Sequence, residues 1–442
     1  MLTNKRKRIL LISANREPFP EAVFPIGSVY FANALQKAGA SVRIFDIRHH
    51  AGISSLRQEI TSFQPDRIGI SLRNIDNAAH PTVRCYLPSY AALVKSIRTI
   101  CNVPIILGGS AFSLFPYEIA AHLGADGGIK GEGENAANIF QELNQGQIVA
   151  ADPANMADVA FPKNIRDLFP GFRRYKTIGI QTARGCPNKC IYCTYPSLEG
   201  SRRRVRTAES VVADIAMLYK DSGINNYFFV DSLFNGDEDH MVRVLEKLAD
   251  QKLPVRFSCY MQPKMSDPGI FRLLRKAGCV AVDFGTDSGS PAMLSSLRKS
   301  FTQSDISATS LACRKAGIDF CHSLIFGGPG ETAGTIAETV SLMDESSPRA
   351  VIAMTGIRIY PGTEMERIAI EEGVIRAGQS LVQPEFYSPR LEGQPLQRMV
   401  YDARDERRNW FFPGKRDWSS MIGFRILNFL YRKGPLWKIF RK

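Results

Sequence analysis

Ala183-Arg184-Gly185-Cys186-Pro187-Asn188-Lys189-Cys190-Ile191-Tyr192-Cys193 is the stretch on which the reading of this 442-residue chain turns. Its C-x3-C-x2-C run gathers three thiols, Cys186, Cys190 and Cys193, on one short loop. Three such ligands suit three irons of a [4Fe-4S] cluster and leave the fourth iron open to a small molecule. Two other readings compete: a zinc knuckle and three incidental thiols. Zinc would need a fourth Cys or His close by, and the nearest histidine in sequence is His240.

With 44% apolar and 22% charged residues, the chain is core-forming and long enough for two or three domains. Nine cysteines, an odd count without paired spacing, do not read as a disulfide framework, and a reducing cytoplasm is expected. The basic N-terminus leads into only about five apolar residues, too few for a signal-peptide core, and no stretch approaches the ~20 apolar residues of a spanning helix. The net charge of +13 is concentrated at the C-terminus, where Lys415 to Lys442 holds eight basic residues against Asp417. Aromatic and aliphatic residues such as Trp418, Phe424, Phe429, Trp437 and Phe440 are interleaved with them. Such a mix suits a helix lying in a bilayer interface, or one packed on its own protein with a solvated basic face. Its apolar content is too high for a phosphate-tracking arm, so no nucleic-acid partner is expected.

Residues 8–150 alternate strand and helix as in a doubly wound parallel sheet. Arg8 to Ser13, Ser41 to Asp46, Arg67 to Ser71 and Pro104 to Gly109 read as buried strands. Ligands of such sheets sit at the carboxyl ends of the strands. Those ends carry Ser71-Leu72-Arg73-Asn74, Gly108-Gly109-Ser110 and Gly131-Glu132-Gly133-Glu134. The glycines there allow close approach of backbone to a flat ligand.

The three-cysteine loop, with an aromatic residue before its last cysteine, resembles the signature of the radical S-adenosylmethionine (SAM) superfamily. The sheet upstream resembles the cobalamin-binding domain of B12-dependent radical SAM enzymes, through Gly108-Gly109-x-x-x-Ser113-x-x-Pro116 and Gly131-Glu132-Gly133-Glu134. The resemblance covers most of residues 8–390. It implies a Rossmann-like cobalamin domain over 1–150, a linker over 151–174, a partial (β/α)6 barrel over 175–390 and a basic amphipathic extension over 391–442. It further implies that Ser71, Arg73, Asn74, Gly108, Gly109, Ser110, Gly131 and Glu132 contact cobalamin. No Asp-x-His-x-x-Gly is present to supply a lower axial histidine, which makes Arg73 the candidate for the cobalt's lower face, with pairing to Asp76 as its ordinary alternative.

Within the barrel region, Thr177 to Gln181 reads as the first strand, and the cluster loop leaves its carboxyl end. By resemblance Tyr192 lies against the SAM adenine, and Asp231, at the end of the second strand, meets the SAM amino group. Thr286-Asp287-Ser288-Gly289-Ser290 resembles the family's Gly-x-Glu-Ser-Gly-Ser with Asp for Glu, so Asp287 and Ser288 are expected at the SAM ribose. Gly327-Gly328-Pro329-Gly330-Glu331 matches the fifth-strand motif, placing Gly328 and Glu331 near the adenine. Arg358 to Thr363 closes the sixth strand, with Arg358 and Tyr360 toward the substrate. Arg204 and Arg206 match basic positions expected to meet a phosphate or a cobalamin amide. Cys259, Cys279 and Cys321 read as buried small hydrophobes.

The implied cofactors are a [4Fe-4S] cluster, SAM and cobalamin, and the implied enzyme generates a 5′-deoxyadenosyl radical. C-methylation of an unactivated carbon in a lipid or another metabolite is the leading expectation, with an external flavodoxin- or ferredoxin-like electron donor. No protein side chain is required as a catalytic acid or base. The alternatives are a cobalamin-using ring-forming or rearranging enzyme and a non-catalytic cobalamin sensor. A cytoplasmic location follows, peripheral to the inner membrane face if the tail lies in a bilayer.

Overall fold

Strict alternation of inward and outward side chains along parallel strands organises both halves of the molecule. The computed structural model describes residues 6–17, 22–49, 52–391, 393–403, 407, 409–414 and 435–439.

The first sheet contains β1 (Arg8–Ser13), β2 (Ser41–Asp46), β3 (Arg67–Ser71), β4 (Ile105–Gly108), β5 (Gly127–Lys130) and β6 (Gln147–Ala150). Their order is β2-β1-β3-β4-β5-β6, every neighbouring pair being parallel. Helices Ile26–Lys37, Gly52–Phe63 and Leu87–Arg98 cover its faces, as right-handed crossovers between parallel strands require. Leu10, Ile12, Ile68 and Ile70 face one layer and Ile9, Leu11 and Ile106 the other, all of them buried.

The second sheet begins with β7 (Ile178–Ile180). A small hairpin of β8 (Ala183–Arg184) and β9 (Arg204–Val205) follows and frames the cluster loop. Then come β10 (Asn226–Phe229), β11 (Arg256–Met261), β12 (Cys279–Asp287), β13 (Asp319–Phe326) and β14 (Ala350–Thr355). These strands run in the order β14-β13-β12-β11-β10-β7, with a two-residue strand, Trp410–Phe411, added parallel beyond β14. The sheet therefore ends in two edges and forms an open, six-stranded partial barrel with a short seventh member. Tyr227, Phe229, Phe257, Val282, Phe284 and Phe320 point outward into the helical layer. Ala281, Cys321 and Ala350 point inward.

Two sequence expectations are revised here. The sixth barrel strand is Ala350–Thr355, while Ile357–Arg358 pairs antiparallel with Phe386–Tyr387. Arg358 does not face a substrate: its side chain is 3% exposed and pairs with Asp76 at 2.9 Å, with Nη2 donating to Leu381 O at 2.7 Å. The linker over residues 151–174 is packed, with Phe161, Ile165, Leu168, Phe169 and Phe172 buried in the core that joins the two sheets.

Most of the basic tail, 415–434, lies outside the described residues, and among the described residues no helix is long and apolar enough to cross a membrane. Where the tail is described, it packs on its own protein. Trp437 is buried among Ala281, Cys321 and Ala350, and Lys438 Nζ reaches Val280 O at 2.9 Å and Asp319 Oδ2 at 3.0 Å. Val280 and Asp319 stand at the amino ends of β12 and β13, so the tail closes the base of the barrel.

Candidate active site

The cluster loop leaves β7 and turns through Gly185, whose φ is +86°. A Cβ at Gly185 would lie 2.2 Å from Arg202 O, so only glycine fits. Cys186 N then donates to Gly200 O at 3.1 Å, and Cys193 N to Cys190 O at 3.2 Å. Ile191 is buried between the halves, its carbonyl accepting from Met365 N at 2.8 Å. Burial pushes the Cys190 and Cys193 thiols up, Cys193 to about 12, and each is raised further by its neighbouring cysteines. Among the described residues no three His, Cys, Asp or Glu side chains are set to hold a single metal ion. The donor set, three mutually interacting thiols on one loop, matches a cluster with one open iron. His240 supplies no fourth ligand, because it is buried behind the loop with Nε2 at 3.2 Å from Thr182 Oγ1.

Beside the cysteines stands a triad that pattern reading did not single out as such. Tyr192 donates its hydroxyl to Asp287 Oδ2, and Lys299 Nζ contacts the same oxygen at 2.7 Å. The Lys299 ammonium opposes the burial that raises the Cys190 and Cys193 thiols, and so favours their ligating thiolates. Asp287 has φ +65° at an irregularity in the β12–β13 register. A non-glycine held there is a strained position of the kind found at working sites. Lys299 carries no motif of its own; only the turn after helix Pro291–Ser296 brings it back to the loop.

Several expected SAM contacts are occupied by the protein itself. Asp231 is fully buried, with Oδ1 accepting from Thr182 N at 2.6 Å and Ala183 N at 3.1 Å and Oδ2 from Thr182 Oγ1 at 2.5 Å. That geometry braces the root of the cluster loop. Ser288 Oγ is tied to Thr339 Oγ1 at 2.9 Å. Glu331 Oε2 accepts from Gly327 N at 3.0 Å and its other oxygen from Thr335, which holds the glycine turn in place. A Cβ at Gly328 would fall 2.8 Å from Met293 Cε, so that glycine serves packing beneath the turn.

The expected cobalamin loops divide in the same way. Glu132 does not face the sheet edge: it pairs with Arg184 at 2.6 Å and with Arg204, and accepts from Ala154 N at 2.9 Å. Glu134 holds the other end of Arg184 at 2.6 Å. The Gly131-Glu132-Gly133-Glu134 turn is thus a latch between the first sheet and the cluster loop. Arg206, expected at a phosphate or amide, is 1% exposed and paired with Asp214 at 2.6 Å. A Cβ at Gly109 would lie 2.6 Å from Leu72 O, and one at Gly131 3.1 Å from Ala151 O, so these turns pack against chain. Gly108 has only Ile129 O within reach, at 3.7 Å, and stays open beside half-buried Ser71 and Asn74. Ser110 Oγ donates to Arg73 O at 2.6 Å, fixing the Arg73 backbone while its side chain stays exposed. Asp76 does not pair with Arg73, being held by Arg358.

Arg73 reaches from the first sheet to the barrel mouth. Tyr195 and Tyr260 are 37% and 45% exposed, yet burial pushes both phenols up while the Arg73 charge pulls both down. Both side chains therefore keep accessible surface within electrostatic reach of Arg73, at the mouth of the barrel. Phe228 stands edge-on to Tyr260, with centroids 4.8 Å apart.

Comparison with known proteins agrees with both halves. The radical SAM superfamily matches residues 180–343, and the B12 binding domain matches residues 13–140. This chain is a B12-binding radical SAM enzyme. It is 23% identical to the tryptophan 2-C-methyltransferase of Streptomyces laurentii, over 81% of this chain and 73% of the relative. It is 24% identical to an uncharacterized methyltransferase of Pyrococcus horikoshii, over 79% of each. Its fold superposes on the radical SAM methyltransferase TsrM of Kitasatospora setae, solved with tryptophan and a SAM analogue, with TM-score 0.85, 20% identity and 98% of each chain covered. The cofactors of the B12-binding radical SAM enzyme are a [4Fe-4S] cluster, SAM and cobalamin.

Proposed function

We propose that the enzyme is a C-methyltransferase working on a small molecule in the chamber between its two domains. One observation carries this reading: Arg73, at the carboxyl edge of the first sheet, lies within electrostatic reach of the partly exposed Tyr195 and Tyr260 of the barrel. A methyl donor and an acceptor carbon must meet in such a place. The methyltransferase relatives, one of them acting on tryptophan, support the same reaction class.

When bound, the cluster and SAM supply reductive radical chemistry and the corrinoid supplies a transferable methyl group. Cys186, Cys190 and Cys193 would hold the cluster, and Lys299 would favour their ligating form. Asp287, at the end of β12, is the carboxylate placed for SAM, steadied by Tyr192 and Lys299. Asp231, Ser288 and Glu331 act as positioning residues for the loops around it. Ser71, Arg73, Asn74, Gly108 and Ser110 form the face offered to cobalamin, with Arg73 on its cobalt side, while Gly109, Gly131 and Glu132 shape and latch that edge. The segment 151–174 works as a strap tying the first domain to the barrel.

The test is anaerobic enzyme reconstituted with iron, sulfide and cobalamin. S-adenosylhomocysteine released from SAM only when corrinoid is present supports methyl transfer. Release of 5′-deoxyadenosine with no corrinoid-dependent S-adenosylhomocysteine would instead favour ring formation or rearrangement. Neither product would favour the sensor.

A further inference from the structure

Asp283, a carboxylate on the inward face of the barrel, is not used by the cofactor chemistry. Asp283 is the fifth residue of β12 and shares its inward side with Asp287, four residues on, so it lies about 13 Å deeper along the strand at ~3.3 Å per residue. It is 6% exposed, in register with Tyr260 on β11 and Cys321 on β13. Two donors reach it, and both go to the same oxygen: Cys321 Sγ at 2.8 Å and Trp437 Nε1 at 2.6 Å, each to Oδ1.

Trp437 can be there because its neighbours are small. Ala281, Cys321 and Ala350 leave the barrel base open, and the indole fills it from the C-terminal segment, anchored by Lys438 and by Arg349 donating to Lys438 O at 2.9 and 3.0 Å. The indole thus closes the base of the barrel, and Asp283 is the polar group mounted on it. Both of its donors are uncharged, and among the described residues no Arg, Lys or His forms an ion pair with it. Burial raises this carboxyl to about 6, the two donors opposing the shift, which leaves it mainly ionised at neutral pH. A buried anion without a counter-ion is costly, and a cation entering the chamber would offset that cost.

We infer that Asp283, seated on Trp437, is the substrate-recognition residue of the chamber and that its Oδ2 takes a cationic amine of a small molecule, with Tyr195, Phe228 and Tyr260 flanking the rest. This rests on the chamber being the substrate site and deepens that reading by naming the class of substrate. It also sets aside a long apolar acyl chain as the group that reaches the barrel base.

The experiment uses anaerobic holoenzyme and three matched probes in calorimetric titrations: phenethylamine, 2-phenylethanol and phenylacetate. The expected result is that the amine binds at least about tenfold more tightly than the alcohol, with the acid weakest. Asp283→Asn keeps an oxygen for Cys321 and Trp437, and should abolish that preference while leaving alcohol affinity within about threefold. Equal binding of alcohol and amine to the wild type, tighter binding of the acid, no amine binding, or an amine preference surviving in D283N would each overturn the inference. Should D283N not fold, the wild-type ranking decides. Corrinoid-dependent S-adenosylhomocysteine release, measured without probe, separately tests the reaction class. Its loss with the amine preference intact would sink methyl transfer and leave the recognition site standing.

Discussion

Gly185 shows how strongly a single residue can control this site. Its φ of +86° and the 2.2 Å approach to Arg202 O leave no room for a side chain. Gly185→Ala should therefore displace Cys186 and reduce iron from about four per chain toward zero after reconstitution. Iron content equal to wild type would contradict that. Glu132 makes a second residue-scale case. Burial raises its carboxyl, but Arg204 and Arg184 outweigh burial and hold it below the usual range. A depressed carboxyl contributes stability that is present above the unfolded value near 4.3 and is lost as pH falls through the folded value. Glu132→Gln should cost about 3 kcal/mol at neutral pH by leaving buried guanidinium groups with too few partners. In thermal melts, the gap to wild type should narrow as pH drops below about 4. A gap constant with pH would show that the charge is not what matters. The glutamate pattern is legible in the sequence but its partners are not, because Arg184 and Arg204 lie 52 and 72 residues further along the chain.

At the scale of elements, β12 and β13 are coupled through a buried histidine. His322 Nδ1 lies 2.6 Å from Thr286 Oγ1 and Nε2 3.1 Å from Ser310 Oγ, joining both strands to helix Gln303–Ala316. Burial lowers its pKa to about 3, so the folded state refuses a proton that the unfolded chain accepts near 6.5. Its contribution is whole above about pH 6.5 and fades as pH falls toward 3. His322→Asn should lower stability by about 1–2 kcal/mol at pH 7 and flatten the acid slope of unfolding free energy between pH 6.5 and 4. Parallel slopes for the two proteins would refute this. A residual slope is expected from His240, which burial lowers to about 4. The strands themselves were readable from their apolar runs, since a sheet covered on both faces demands them. The sixth was misplaced because Arg358-Ile359-Tyr360 has strand-like residues, yet its arginine is drawn to Asp76 and its backbone to Phe386–Tyr387.

For the whole molecule, the two domains are held by two clamps on different loops: Glu132 and Glu134 with Arg184 and Arg204, and Asp76 with Arg358. Both clamps join a carboxyl end of the first sheet to the barrel, so they set the spacing of the two halves as well as stability. Arg358→Met leaves a fully buried Asp76 carboxylate unpaired and should destabilise by about 3–5 kcal/mol. The R358M and E132Q effects should add to within about 0.5 kcal/mol, because the clamps share no partner. Denaturant unfolding of the single and double variants measures this, and strong non-additivity would mean one continuous network. The packed strap 151–174 should become protease-sensitive in the double variant.

By itself the sequence determined the local and periodic features of this protein. Cysteine spacing specified the cluster loop, because three ligands within eight residues need no distant partner. Short continuous apolar runs alternating with helical segments specified two parallel sheets, because burial on both faces leaves few alternatives. Only the tertiary structure decided which polar residues brace the loops and the join between the two halves. Asp231, Glu132, Arg206 and Arg358 look like site residues in sequence and are consumed by contacts made across the fold. Lys299, Asp283 and Trp437 gain their places in the same way, from neighbours as distant as the 154 residues between Asp283 and Trp437. A side chain's partner across such a span is set by how the layers pack, and pattern along the chain does not encode it.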